Sequence, residues 1–417
     1  MSEQNWDAIV VGAGPAGCSA SAILAQHGRK VLVLEKEKFP RYHIGESLLP
    51  FTHEPLRRIG VLDKMKKSAF IKKYSVQFVS PSGKASQPFY FNTRYEEEIA
   101  QTWQVLRSEF DLMLMQNARE KGADVREEMT LKEYLKDGNR YVGVKVQDKA
   151  GKVSEFRAPV TLDCTGRDSF TASRNNWRVP DPKLNKIAVW TYFKGALRDS
   201  GIDGGATTVA YVPKKGWFWY IPQHNDMISV GVVADAEYLY RDGIRDAKEV
   251  FQREVKQNAW IEKYTAAGQQ TGKYFVTGEY SFRSKYCAAD GLVLAGDAFG
   301  FLDPIFSSGV MLALKSGMLA GDTIHEALKS GDVSARQFKK YGDTLSEGID
   351  NMRKLVCAFY EQSFSFRKIC DKFEFAGGDI TDCLSGDVNK DFSRLWAACA
   401  DFAPVEDALP YGQPLVE

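Results

Sequence analysis

The chain lacks a dominant charge: 55 Lys and Arg stand against 54 Asp and Glu in 417 residues, a formal net charge of +1 at pH 7. Without a one-signed field, nothing global recruits nucleic acid or an acidic lipid surface. Long hydrophobic runs are also missing. No stretch approaches the roughly 20 apolar residues that cross a bilayer. The opening MSEQNWDAIVVG has no basic segment followed by an apolar one, as a secretory signal would. Histidine is scarce, at five, and the seven cysteines never fall in a CxxC. Neither a zinc site nor a disulfide framework is expected, and spread, unpaired thiols suit a reduced cytoplasmic protein. There is no Ser/His/Asp constellation, internal repeat or low-complexity segment. What remains is ordinary globular material, 44% hydrophobic and 26% charged, long enough for two or three domains.

Against that background the N-terminus is specific. Residues 7–11 (DAIVV) and 31–34 (VLVL) are short β-branched runs, and residues 16–26 between them are small and helix-compatible. Strand, glycine turn, helix and strand open a parallel α/β sheet. The turn, Gly12-Ala13-Gly14-Pro15-Ala16-Gly17, is a GxGxxG. Gly12 permits the tight turn, Gly14 lets backbone approach a pyrophosphate, and Gly17 lets the helix pack on the strand. Pro15 and Ala16 open a helix whose free N–H groups and dipole favour phosphate. Glu35, with Lys36 beside it, ends the second strand 18 residues after Gly17. A carboxylate there accepts ribose hydroxyls and disfavours a 2′-phosphate, which selects FAD or NAD over NADP.

Later stations favour FAD. Gly296-Asp297 follows another buried run, 291–295 (GLVLA). It resembles the second FAD motif of flavoprotein monooxygenases, in which the aspartate binds the ribityl chain. Arg107 in VLRSEFD, and Asp163 with Gly166 in DCTGRDS, resemble two further stations of that superfamily. No second GxGxxG occurs, so a nicotinamide binds transiently or electrons arrive through a separate flavin reductase.

Within the superfamily, four segments resemble the flavin-dependent halogenases. Residues 41–48 (RYHIGESL) match RxxIGESL and bring in Gly45, Glu46 and Ser47. Residues 217–222 (WFWYIP) match WxWxIP, with Trp217 and Trp219 facing the same way on a strand. Residues 303–310 (DPIFSSGV) match DPxFSSGV, with Pro304, Ser308, Gly309 and Val310 beside the flavin. Residues 70–78 place Lys73 on the family's catalytic lysine, with Ser75 and Val76 departing from the pattern and Met311 standing where that branch often has His. The resemblance implies an FAD-dependent oxidoreductase that uses reduced FAD, oxygen and halide on an aromatic or similarly electron-rich substrate, free or carrier-bound. Lys73 would guide the electrophilic halogen, the two tryptophans would wall off the substrate, and backbone N–H groups at 308–310 would hold the halide.

Each feature has a plainer competitor. Lys73 lies among Lys64, Lys66, Lys67 and Lys72, the pattern of a solvated face. Trp217 and Trp219 suit the core side of a half-buried strand. Ser307, Ser308 and Asp297 suit helix caps, Glu46 a loop anchor, and His43 and His53 structural roles. The alternatives to halogenation are a hydroxylase, dehydrogenase or alkene reductase of the same fold, or a flavin-binding redox protein without turnover.

The expected fold is α/β, a glutathione-reductase-like, Rossmann-type FAD-binding domain (1–75, 100–180 and 275–335). A mainly antiparallel substrate domain (76–99 and 181–274) is inserted, and 336–417 form a helical C-terminus. In the insertion, runs at 186–193, 207–212, 217–222 and 227–233 have the spacing of an antiparallel meander.

Overall fold

The structure is a computed structural model that describes residues 5–96, 98–278 and 281–416. Its first sheet has six strands. Asp124–Arg126, Val31–Leu34, Ala8–Val11, Val160–Asp163 and Leu292–Leu294 run parallel in that spatial order, and Ala288–Ala289 closes the edge antiparallel. Every residue of Ala8–Val11 and Val31–Leu34 is buried, as strands covered on both faces require. The chain leaves Ala8–Val11 toward one edge and returns on its other side at Val160–Asp163. The carboxyl ends of these strands therefore open a crevice at a topological switch point.

Two helices line that crevice. Pro15–Gln26 follows the glycine turn, and Gly309–Ser330 packs along it. Their closeness depends on small residues: a β-carbon at Gly317 would stand 2.1 Å from the Ala16 carbonyl oxygen.

The second sheet has seven strands, in the order Gln269–Thr277, Ile187–Lys194, Met227–Ala234, Trp217–Gln223, Thr207–Tyr211, Ser75–Val79, Phe89–Tyr90. It is antiparallel except where Thr207–Tyr211 meets Ser75–Val79. The expected four-strand meander is only partly present. Thr207–Tyr211, Trp217–Gln223 and Met227–Ala234 form hairpins, but Ile187–Lys194 pairs with Met227–Ala234 rather than with its successor. The connection over 195–206 is too long for a hairpin and carries the strand direction to the far side of the sheet. The 75/76 and 274/275 divisions expected from sequence fall inside Ser75–Val79 and Gln269–Thr277, and both strands belong whole to this sheet.

Nor is the tryptophan strand half-buried. All seven residues of Trp217–Gln223 are buried. Phe218 and Tyr220 pack beneath Ala247–Val255 and Ala259–Ala266, while Trp217, Trp219 and Ile221 face the C-terminal helices and the crevice. The helical C-terminus comprises Lys339–Tyr360, Phe366–Lys372, Ala376–Ser385 and Ser393–Cys399. Buried ion pairs Arg353–Asp181 and Arg283–Asp350 tie the first of these to the body. Among the described residues no helix is long and apolar enough to cross a membrane.

Candidate active site

One continuous cavity runs from Glu35, past the glycine turn and Asp297, to Pro304 and the tryptophan strand. At its adenine end the three glycines separate into three roles. Gly12 has φ +103°, and a β-carbon there would lie 2.2 Å from the Cys164 carbonyl oxygen. Gly17 stands behind the wall, where a β-carbon would strike the Gly12 carbonyl oxygen at 1.9 Å. At Gly14 the nearest atom is 3.7 Å away, on Arg41. Gly14 therefore leaves an open cradle above the helix that begins at Pro15 and Ala16, the space a pyrophosphate needs. Gly17 is not part of the cavity lining, and its missing side chain serves the packing of helix on strand.

Glu35 is buried, and its two oxygens accept from the Ala13 and Glu37 N–H groups at 2.7 and 2.9 Å. These bonds fix the carboxylate at the strand end and leave further lone pairs for hydroxyls. Lys36 lines the same end, paired with Asp168 at 2.5 Å across an exposed rim.

Arg107 is reached from the first turn of Arg107–Glu120. Its guanidinium grips Asp111 with two bonds, at 2.8 and 2.9 Å, and donates to the Ile44 and Gly45 carbonyl oxygens at 2.7 and 3.2 Å. Arg41 adds a third contact to Asp111 at 3.1 Å. Burial alone would raise the Asp111 pKa, but Arg107 and Arg41 carry it below the usual carboxylate range. Asp111 thus locks the 41–48 loop against the cavity. Its signal was present as an i, i+4 Arg–Asp pair in RSEFD.

Asp163 requires a correction. It is fully buried, and its carboxylate is consumed by the N–H and hydroxyl groups of Thr165 and Thr171 at 2.5–2.9 Å. It shapes the turn that presents Thr165 and Gly166 to the cavity instead of touching that cavity itself. Asp297 does face the cavity. It makes no hydrogen bond among the described residues, and burial pushes its pKa up to about 6. A carboxylate so placed is an acceptor waiting for a hydroxylated ligand. Gly296, at φ +60°, turns the chain and donates its N–H to Ser316 at 2.9 Å.

At the other end, Pro304, Gly309 and Val310 line the cavity at the start of Gly309–Ser330. Ser307 reaches φ +58° to make the corner. Ser308 is the N-cap residue, yet its side chain makes no cap bond, and its buried hydroxyl has no partner among the described residues and stands off the cavity wall. The N–H groups of this first turn have no intrahelical acceptors.

Trp217 and Trp219 both line the cavity and also belong to a hydrophobic core, so their two sequence readings coexist. Trp217 donates to the Tyr360 hydroxyl at 2.8 Å, which donates to Asp303 at 2.8 Å. Trp219 donates to Ser229 at 3.0 Å, its ring filling the space above Gly231. Tyr360 gave no sequence signal because it comes from a helix 143 residues away.

Lys73 overturns the surface reading. It is 0% exposed, on Ile71–Lys73 paired with Thr102–Gln104. Its Nζ donates to Ser47 Oγ at 2.9 Å and to the Leu48 carbonyl oxygen at 3.1 Å. Burial pushes its pKa down to about 7, and no carboxylate opposes that shift. Lys73 stands behind Ser47, which with Thr207 lines the cavity and shares a 2.8 Å bond with it. Glu46 and Gly45 complete this wall. His43 lines the cavity and is kept uncharged at neutral pH by burial, its pKa lowered to about 4, while His53 bonds the Gln101 carbonyl oxygen and does not reach the cavity.

The donors and spaces match an extended dinucleotide: a phosphate cradle at Gly14, an acceptor at Glu35, an unpartnered carboxylate at Asp297, and a wide end at Pro304. A match to the FAD binding domain family spans residues 5–344. The chain is 33% identical over 412 residues to a 1H-pyrrole-2-carbonyl-(peptidyl-carrier protein) chlorinase of Pseudomonas fluorescens, covering 93% of this chain and 90% of the relative. It superposes with a TM-score of 0.85 on a flavin-dependent brominase, at 28% identity and covering 96% and 97% of the two chains. A flavoprotein/dehydrogenase from Cytophaga hutchinsonii gives the same TM-score and identity, covering 94% of each chain. The chain belongs to the FAD-binding-domain family and is an FAD-dependent oxidoreductase of the flavin-dependent halogenase group.

Proposed function

We propose that this protein halogenates an electron-rich aromatic acyl group presented on a carrier protein in the cytoplasm, using FAD reduced by a separate reductase. The carrier-bound substrate is supported by the likeness to the pyrrolyl-carrier chlorinase, and the cytoplasm by seven free cysteines. The observation that carries the reading is Lys73, an amine buried without a counter-ion and bonded to a serine of the cavity wall. A buried lysine is costly to a fold and marks chemistry more often than packing.

Bound and reduced, FAD supplies the electrons with which oxygen and halide become an electrophilic halogen species. Gly12, Gly14 and the start of Pro15–Gln26 hold its phosphates, Glu35 a ribose, and Asp297 the ribityl hydroxyls. The first turn of Gly309–Ser330 offers N–H groups and a positive dipole end to halide without offering a proton. Trp217 and Trp219 exclude water and separate the substrate from the flavin. With its pKa near 7, Lys73 keeps a large neutral fraction at neutral pH; it stands behind the cavity wall and would act on the electrophile through Ser47, the wall residue to which it is bonded. The FAD-binding side comprises roughly 1–74, 100–180 and 278–335, and the substrate side takes 75–99 and 181–277, with Ser75–Val79 and Gln269–Thr277 whole in its sheet.

Lys73→Ala is expected to abolish halogenation, a loss of at least ~100-fold, while FAD affinity and oxygen consumption persist. Product analysis beside flavin fluorescence checks this, and unchanged product yield contradicts it. The second reading, a non-halogenating oxidoreductase, is favoured by the equal likeness to the Cytophaga flavoprotein/dehydrogenase. It requires substrate oxidation or reduction that is indifferent to halide.

A further inference from the structure

Halogenation of an aromatic C–H balances as FADH2 + O2 + ArH + X− + H+ → FAD + ArX + 2 H2O, so a proton enters from solution at each turnover. The cavity end that would use it is walled by buried side chains. We propose that Tyr42, Tyr192 and Glu46 form an inward proton relay from solvent to the cavity, with Glu46 as its terminal donor. The proposal rests on the halogenase reading for its role and on geometry for its existence.

Glu46 is 2% exposed and lies in the wall between the main cavity and a second one of about 420 Å³. Its Oε1 accepts from the Tyr192 hydroxyl at 2.8 Å, while its buried Oε2 has no partner of good hydrogen-bond geometry among the described residues, Ser229 and Gln223 standing near the carboxyl without closing such a bond. An unpaired buried carboxyl oxygen is costly unless it serves something absent from the fold. The Tyr192 and Tyr42 hydroxyls are 3.0 Å apart, and Tyr42 is 48% exposed.

The polarity of the chain follows from its ends. The Trp190 indole, a donor only, gives its N–H to the Tyr42 oxygen at 2.7 Å. That leaves the Tyr42 hydrogen for Tyr192, whose own hydrogen goes to Glu46. Each hydroxyl hydrogen therefore points inward.

Groups around Glu46 set how readily its carboxyl takes up a proton. Burial raises its pKa, and Ser229, Tyr192 and Gln223 on the sheet, with Arg107 on the helix, oppose this only in part. Arg107 is itself engaged by Asp111. His43, on the same loop, is neutral at neutral pH, and His224 and Lys273 face the second cavity.

In one cycle the O–H bond of Glu46 breaks toward the cavity, the proton joins oxygen-derived hydroxide as water, and the electron pair stays on the carboxylate. Oε1 then takes the hydrogen of Tyr192, Tyr192 takes that of Tyr42, and Tyr42 takes one from solvent. A half-turn of the carboxyl returns the proton to the cavity side, and rotation of the Tyr192 and Tyr42 hydroxyls about their C–O bonds points both hydrogens inward again.

The test uses full-length protein loaded with FAD. Tyr192→Phe keeps the ring that packs edge-on against Phe275 and removes only the hydroxyl. It is expected to slow halogenation ~10- to 100-fold, to raise the solvent deuterium isotope effect, and to be rescued by formic acid or imidazolium entering through the second cavity. Tyr42→Phe should behave alike and serves if the first variant fails to fold. The readout independent of turnover is infrared: a protonated-carboxyl band should vanish in Glu46→Gln, and its exchange in D2O should slow in Tyr192→Phe. Full activity with wild-type band exchange, or a loss that small acids do not rescue, overturns the relay. Should the wild type not halogenate at all, the halogenase reading falls, and the band and its exchange rate alone decide for or against the relay.

Discussion

At the scale of single residues, the burial of Lys73 makes the stability of the whole chain depend on pH. Its folded pKa is near 7 against 10.5 for a free lysine, with burial as the cause. Between those values the unfolded chain binds a proton that the folded one does not, so stability rises with pH across that window. Below about 7 the full penalty applies. Lys73→Met removes the titrating group while keeping similar volume. Urea unfolding at about pH 7 and about pH 9 should show a wild-type gain, relative to the variant, of roughly 1 kcal/mol per pH unit. At neutral pH and below, the variant should be the more stable; parallel profiles contradict the assignment. Sequence alone could not show this burial. Lys73 has four lysines nearby, and what encloses it is a β pairing with 102–104 and a bond to Ser47, contacts set by folding over 26 residues and more. Glu46 was likewise legible as a motif residue, but its partner Tyr192 lies 146 residues away.

At the scale of elements, the glycine turn offers a paired test. Gly17→Ala drives a methyl into the Gly12 carbonyl oxygen, whereas Gly14→Ala meets nothing closer than the Arg41 guanidinium. The first is expected to lower thermal stability severely, by more than ~3 kcal/mol as a backbone clash in a packed core. The second should melt nearly as wild type but bind FAD at least ~10-fold more weakly, its methyl occupying the pyrophosphate cradle. Differential scanning fluorimetry without flavin and fluorescence titration with it separate the two, and equal behaviour contradicts the division of roles. This turn was readable because its chemistry is local. Spacing, helix start and strand end all lie within 35 residues. The meander was misread because strand order depends on where a 12-residue connection lands, and Asp163 because its acceptors are filled by two threonines of the next turn.

For the whole molecule, the two sheets and the C-terminal helices meet around one cavity, so cofactor binding and folding are coupled. FAD at a hundred times its dissociation constant should stabilise the protein by about 2.7 kcal/mol if the unfolded chain does not bind it. Calorimetric melting with increasing FAD checks this; an unmoved transition contradicts the cavity assignment. The C-terminal helices share in that site through Tyr360, which bridges Trp217 to Asp303 beside the Pro304 turn. The measurement that bears most directly on the central claim is stopped-flow reoxidation of the protein with reduced FAD by oxygen, with and without chloride or bromide. The account requires flavin reoxidation kinetics that accelerate with halide before any aromatic substrate is added. Kinetics indifferent to both halides would contradict halogenation and leave a hydroxylase or dehydrogenase on the same fold.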